Sequence, residues 1–480
     1  MDKYKKLASN TIIFAIGTFS SKLLSLVLTF FYTRVMDTGS FGGATLIQNA
    51  VNILVPIVTL AVNSAALRFA LDKNSNKKGV FTTGVATTLI GFAIFCLFSP
   101  LVVKININDF NLGQYAILLY LMLLGSSLRQ LCQQFVRGSG YVKLYAVDGV
   151  IATATSAGFT FLYLGGFKWG IYGYILAIFT SDMLSVAFMF VMAKLWRYLD
   201  FRKGLKKDTV VPMLKYCIPL IPTIVLWWII NVSDQYMVTY FSGVALSGLY
   251  TASYKIPNFV IIFSSIFIDA WQLSAVDEYD NKDKGIFFTK VFKVYSGALF
   301  AIGAVLIVTS RIVTSIYLGA DYYESWRYVP ILVIATTFSC LVNFYASVYM
   351  AEKKSVLSML TAGSGAIINI VLNLILIPKY EAYGAALATA VSFVVVFIIR
   401  VINTKKFVEI KIDYVRLLGS AILLVAMAAV MITEAGGGQW QSFGITLALA
   451  LVLFVMNFKA VIDIVRLLLD KFLKKRGKKA

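Results

Sequence analysis

The chain contains no histidine, and with it go the commonest general base, proton relay and transition-metal ligand. Only four cysteines occur, Cys96, Cys132, Cys217 and Cys340, and none has C-x-x-C or metal-ligand spacing. Free apolar thiols are expected, with no disulfide framework and no metal centre. No Gly-rich Walker A string is present, which removes ATP hydrolysis within this chain. Nothing here calls for a cofactor. Polar sequence is scarce as well: 59% of the 480 residues are hydrophobic and 14% charged, where soluble domains run at roughly 45–50% and about 25%. A soluble fold is excluded.

What is present is a succession of apolar stretches, each near the ~20 residues that cross a bilayer. The pattern predicts an all-α integral membrane protein with about 14 transmembrane helices. The spans used most below are expected at 9–33, 42–70, 112–136, 144–165, 170–193, 213–241, 248–274, 356–377 and 383–402. The basic start "MDKYKKLASN" precedes a span too long for a signal-peptide core, so it is expected to be retained. The 44 Lys and Arg outnumber the 23 Asp and Glu, and their placement decides what that excess means. Along alternating loops, one side carries only Arg34, Lys104, Lys168, Arg311, Arg327 and Lys379. By the positive-inside rule this predicts a multi-pass protein of the cell (cytoplasmic) membrane with both termini cytoplasmic. The basicity then reads as contact with membrane lipids, not with nucleic acid.

An internal repeat organises the spans. At one constant spacing Lys143 pairs with Lys354, Lys168 with Lys379, Tyr172 with Tyr383, Gly173 with Gly384, Leu176 with Leu387 and Ala177 with Ala388, sharing the string K-x-x-x-Y-G-x-x-L-A. A weaker match joins "TRVMDTGSFGGAT" to "TYFSGVALSGLYT". The expectation is two pseudo-symmetric six-helix lobes around a central cavity plus two C-terminal helices: residues 1–203, 204–410 and 411–480. A tandem repeat of an even-numbered unit keeps its orientation, which suits alternating access.

Charges at membrane depth are costly and usually face a bundle interior or a watery cavity. Lys22 lies on a stripe with Thr11, Thr18, Ser25, Thr29 and Thr33. The second span carries Asn49, Asn52, Pro56, Thr59 and Asn63 on one face, with Arg68 near its end. The fourth carries Ser126, Arg129, Gln130 and Gln133, and the eighth Lys255, Asn258, Ser265, Asp269 and Gln272. Lipid cannot solvate such faces, so a hydrated cavity is expected. Lys22, Arg68, Arg129 and Lys255 in such a cavity imply an anionic cargo, held by charge-assisted hydrogen bonds with help from Asn49, Asn52, Asn258 and Gln272. Several have a plainer reading. Arg68 can snorkel to the interface, Lys255 can pair with Asp234, and Asp182 can pair with Arg129. The Asn and Ser/Thr stripes can simply join helices. Asp182, Asp234 and Asp269 are the candidate ion-coupling sites. Trp227, Trp228, Tyr254 and Trp271 can stack on sugars, although interfacial anchoring is the commoner role.

The stretch "LKYCIPLIPTIVLWWIINVSDQYMVTYFSGVALSGLYTASYKIPN" at 214–258 resembles the polysaccharide-transporter and Wzx-type flippases of the multidrug/oligosaccharidyl-lipid/polysaccharide (MOP) exporter superfamily. Their pattern is a proline-rich PLIP, then an Asp, a G-x-Y and an aromatic-Lys-x-Pro. "NIVLNLILIPKYEAYGAALATA" at 369–390 and "TRVMDTGSFG" at 33–42 match as well. The resemblance implies a transporter, not an enzyme, that flips a polyprenyl (undecaprenyl) diphosphate-linked oligosaccharide for cell-surface polysaccharide assembly. It further implies cations in the first, second and eighth helices at the pyrophosphate, which here are Lys22, Arg68 and Lys255. Typical members follow the Asp with Arg; this chain has Gln235. Coupling to H+ or Na+ and contact with polysaccharide polymerase or glycosyltransferase machinery are further expectations. The alternatives are a MATE-like drug/cation antiporter, which calls for an acid-rich cavity, a lipid II or teichoic-type flippase, and a membrane glycosyltransferase or polymerase, which calls for a long outer catalytic loop.

Overall fold

The computed structural model describes Leu24 and residues 26–476, apart from residues 73–74, 202–203, 278–282, 353 and 436. Eleven helices among the described residues are long and apolar enough to cross a membrane. The chain divides after Gly248 into two compact units.

The first unit begins with α1 (Leu26–Val35), α2 (Thr38–Val58) and α3 (Val62–Ala70). Asp37 opens α2 as its N-cap, accepting from the Ser40 N–H at 2.8 Å and its hydroxyl at 2.6 Å. Burial pushes the Asp37 carboxyl up, but these hydrogen bonds prevail and hold it below its usual range. One continuous second span was expected; instead it breaks between α2 and α3. Leu60 and Ala61 sit at φ 52° and 53°, a region that non-glycine residues rarely adopt. Pro56 lacks a backbone N–H and strains the helix around it. Its own carbonyl accepts from the Ala61 N–H at 2.7 Å, one residue beyond the α-helical partner.

Then follow α4 (Lys77–Leu97), α5 (Ser99–Val102), a two-stranded ribbon of β1 (Asn106–Ile107) and β2 (Phe110–Asn111), α6 (Ala116–Gly138), α7 (Val142–Thr160) and α8 (Gly170–Met192). A basic linker leads to α9 (Lys207–Cys217) and α10 (Ile221–Ser242), separated at Ile218–Leu220 by a 3₁₀ turn that contains Pro219, with Pro222 in the first turn of α10. The expected span at 213–241 is thus also bent. Its core gathers Val62, Ala65, Phe81, Leu131, Phe135, Met189 and Met213 from α3, α4, α6, α8 and α9. The next helix, α11 (Val244–Ser253), is capped by Asp109, whose carboxylate accepts from the Val244 N–H at 2.8 Å. Here the glycines of the weaker repeat match are required by backbone approach. A Cβ on Gly42 would lie 2.4 Å from the Val244 carbonyl, and one on Gly248 would lie 1.9 Å from that of Thr38.

In the second unit, α12 (Asn258–Asp277) is followed by α13 (Lys284–Val308), α14 (Ser310–Tyr317), α15 (Val329–Ala351), α16 (Ser355–Thr404), α17 (Tyr414–Thr433) and α18 (Gln439–Arg476). The expected eighth span is broken at Tyr254–Pro257, between α11 and α12, where Pro257 withdraws an amide and biases Ile256 away from helix. The spans expected at 356–377 and 383–402 form α16, which reverses at Glu381 (φ 50°, ψ −131°). Gly170 (φ 53°) holds the corresponding place in the first copy of the repeat. The repeated glycines act alike: a Cβ on Gly173 would meet the Tyr163 carbonyl at 3.1 Å, and one on Gly384 the Leu376 carbonyl at 2.4 Å. The shared string therefore encodes a turn that folds one helix back against the end of the last.

The second core is aromatic. Trp271 is 3% exposed, stacks on Phe344 with centroids 4.8 Å apart, and donates Nε1–H to the Ser347 hydroxyl at 2.7 Å. It is a packing residue, not a free sugar platform. Three arginines are drawn inside. Arg311 meets Glu434 at 2.6 Å and lies over Trp326. Arg416 donates to the Lys293 carbonyl, Ser296 and Asn457. Arg400, fully buried, donates only to neutral acceptors: Thr361 Oγ1 at 3.1 Å, the Val342 carbonyl at 2.8 Å and the Ser358 carbonyl at 3.2 Å.

Candidate functional site

Lys22 lies outside the described residues, as does the side chain of Asp269 on α12. The other candidates fall into the two units.

In the first unit the expected polar face of α2 divides. Asn52 is exposed, whereas Asn49 is half-buried and tied to α10. Its amide donates to Gln235 Oε1 at 2.6 Å, Gln235 donates to Thr45 Oγ1 at 2.7 Å, and Trp228 Nε1–H reaches the Asn49 carbonyl at 2.9 Å. Asn49 therefore joins helices instead of presenting a free amide. Trp228 is likewise engaged, while Trp227 is 41% exposed. Gln235, 5% exposed, is central to this seam, which explains an uncharged residue where the family pattern has Arg. An arginine there has no acceptor to take the Asn49 hydrogen bond that Gln235 Oε1 receives. The preceding Asp234 is buried at 3% exposure and accepts from the Gln235 N–H at 2.9 Å. Arg68, in the last turn of α3, is exposed.

A second network joins α6, α7 and α8. Arg129 meets Asp182 at 2.8 Å, as its depth suggested, and Ser126 donates to the other carboxylate oxygen at 2.7 Å. The Asp182 side chain is 4% exposed and that of Arg129 28% exposed. Close by stands a residue that sequence reasoning missed. Asp148 on α7 is fully buried and accepts from Gln133 Nε2 at 2.9 Å and the Ser185 hydroxyl at 2.5 Å. The signal was available: α6 and α7 are joined by a turn at Ser139–Tyr141, so residues equally far from it, such as 133 and 148, face each other. Asp182 thus has the Arg129 guanidinium, whereas Asp148 is held by the neutral donors Gln133 and Ser185. An uncompensated charge among them is costly in a low-dielectric interior.

In the second unit Lys255 occupies the break between α11 and α12. It is half-buried, with no ion-pair partner among the described residues. Asn258 on the first turn of α12 and Gln272 farther along are half-buried as well. An ammonium half-buried at a helix break, with the Asn258 side chain three residues on, suits a polar, anionic group. No group of three or more metal-ligating side chains occurs among the described residues.

Residues 7–272 match the family model for a polysaccharide biosynthesis protein. No curated protein matches the chain. Among solved structures, the lipid II flippase MurJ in an inward closed conformation aligns with a TM-score of 0.70 at 16% identity, over 93% of this chain and 98% of that one. An inward-facing multidrug resistance MATE family transporter of the MOP superfamily gives 0.64 at 11% identity, over 89% and 100%. An outward-facing one gives 0.54 at 12%, over 88% and 94%. At these identities the likeness is one of fold: an all-α, multi-pass, MOP-type transporter architecture.

Proposed function

Because this chain belongs to the polysaccharide biosynthesis protein family, we propose that it is a flippase that carries a polyprenyl-diphosphate-linked oligosaccharide across the cytoplasmic membrane, with both termini cytoplasmic. The observation that carries this reading is Lys255, an ammonium half-buried at a helix break and without an ion-pair partner among the described residues. Pyrophosphate is the group such a cation would offset, with Asn258 beside it as a neutral donor; Gln272, about 21 Å farther along α12, would meet another part of the cargo. Lys22 and Arg68 complete the proposed cation set, and the lobes 1–203 and 204–410 would alternate access to it. Arg129 takes a different part. Its carboxylate partner commits it to the network with Asp182 and Asp148, which we assign to H+ or Na+ coupling alongside Asp234 and Asp269. The lipid II flippase MurJ shares the fold, which supports a flippase reading.

The test is complementation of a strain lacking its own flippase. Lys255→Ala should abolish surface glycan while leaving the protein in the membrane at normal level; full glycan in that variant would sink the cationic-site mechanism. The interior acids and the MATE-type fold favour one competitor, a drug/cation antiporter. Proteoliposomes that move a cationic dye but no polyprenyl-diphosphate glycan would establish it instead.

A further inference from the structure

Helices α2 and α11 meet within their first two turns, and the contact is reciprocal. In the weaker repeat match Thr38 corresponds to Val244 and Gly42 to Gly248. Gly42 packs on the Val244 carbonyl and Gly248 on the Thr38 carbonyl, so each copy presents the same glycine to the same backbone group of the other. A contact made by one patch on both partners is the signature of two-fold symmetry.

The caps of the two helices break that symmetry. The first N–H groups of a helix have no partner within it, and α2 meets the need with Asp37, the residue directly before it. The corresponding residue before α11 is Gly243, which has no side chain and sits at φ 92°. Its part is taken by Asp109, in the turn of the β1–β2 ribbon and 135 residues away, which accepts from the Val244 N–H at 2.8 Å. A Cβ on Gly243 would lie only 3.2 Å from the Asp109 carboxylate. The ribbon itself is fixed to the first copy of the repeat. Phe110, 5% exposed, stacks on Tyr115 with centroids 5.6 Å apart and fills the space beside Gly43 of α2, where a Cβ would fall 2.5 Å from its ring. Two adjacent residues of one short strap thus hold both copies, Phe110 the first and Asp109 the second.

A cap supplied by the preceding residue travels with its helix. One supplied by a distant ribbon is lost when helix and ribbon part. We propose that the ribbon is a latch that holds the starts of α2 and α11 together, and that Asp109 releases Val244 when this side of the protein opens. With both termini cytoplasmic it is the outer side, and the latch rests on the alternating-access reading of the transporter. The glycine crossing has no interlocking side chains to pull apart, so the cap is the polar contact that opening breaks. Asp109 is exposed, and water replaces the Val244 N–H as its partner.

The test uses the full chain with its four native cysteines replaced by alanine. A Cβ on Gly39 would lie 3.8 Å from Val244 Cγ1, within disulfide reach, so Gly39→Cys with Val244→Cys can be locked by oxidation. In proteoliposomes oxidation should abolish glycan transport and reduction should restore it, whereas a static contact would tolerate the bond. A second readout needs no cargo: in intact cells, Asn52→Cys is labelled by a membrane-impermeant maleimide added outside. Asn52 is exposed and lies about 15 Å beyond Gly42 along α2. Asp109→Ala should raise its labelling about 2- to 30-fold, the range of a lost N-cap, while Asp109→Asn keeps a capping oxygen and should label like wild type. Full transport in the oxidised protein, or equal labelling in Asp109→Ala and wild type, would overturn the latch. A wild-type protein that moves no glycan would end the transport reading alone, since the labelling comparison still decides the latch.

Discussion

Replacing Arg129 by methionine and replacing Asp182 by asparagine break the same 2.8 Å ion pair, yet the two changes should differ in cost. The Asp182 side chain is 4% exposed, so Arg129→Met strands a carboxylate with Ser126 as its remaining donor among the described residues and Asp148 nearby. Losing one partner of a buried pair costs about 3–5 kcal/mol. The Arg129 side chain is 28% exposed and can turn toward water, and asparagine still accepts from Ser126, so Asp182→Asn should cost only about 1–2 kcal/mol. The double change Arg129→Met with Asp182→Asn removes both charges and should be more stable than Arg129→Met alone. Denaturant or thermal unfolding in one detergent gives all four corners of the cycle. Equal single-variant losses, or a double variant at the sum of the two, would refute the account of an asymmetrically buried pair.

Glu381→Gly should stabilise by about 1–2 kcal/mol, since φ 50° is unfavourable for an L side chain; a loss in thermal unfolding would mean that the Glu381 side chain matters more than its backbone. Gly248→Val should prevent accumulation of folded protein, because its Cβ would lie 1.9 Å from the Thr38 carbonyl, and wild-type levels in the membrane would contradict that close approach. Asp148→Asn should keep the fold but flatten the pH or Na+ dependence of transport in proteoliposomes; an unchanged dependence would remove Asp148 from coupling. Asp37→Ala should cost about 0.5–2 kcal/mol as a lost N-cap. Because the folded carboxyl titrates below its usual range, that benefit is present at neutral pH and lost as pH falls through the folded value. The stability gap between wild type and variant should close in acid.

The sequence patterns reached some of this and stopped for identifiable reasons. The repeat was legible because a turn with reversed φ and a close helix return tolerate few residues, so Gly170 and Gly173 reappear as Glu381 and Gly384 in one register. The pairing of Arg129 with Asp182 followed from depth alone. Pro257 could have announced the break at Lys255, since proline in a span removes an amide, but hydropathy averages across such a residue. The break at Leu60 and Ala61 carries no such mark at the residues that bend; its local sign is Pro56, four residues before them. Asn49 and Trp228 have the chemistry of cargo ligands, and only their partners in the fold reveal them as joints between α2 and α10. Asp148 was overlooked because hydropathy places it at the edge of a span, whereas the α6–α7 hairpin carries it inside.

Arg400 bears on selectivity without touching any cargo. A guanidinium fully enclosed by carbonyl and hydroxyl oxygens, with no carboxylate among its described partners, keeps its whole charge in a medium that screens poorly. The second unit thus carries a built-in positive electrostatic bias that neither proton exchange near neutrality nor a side-chain rearrangement discharges. Close to Arg400 that bias disfavours a cation and favours an anion without any contact between them.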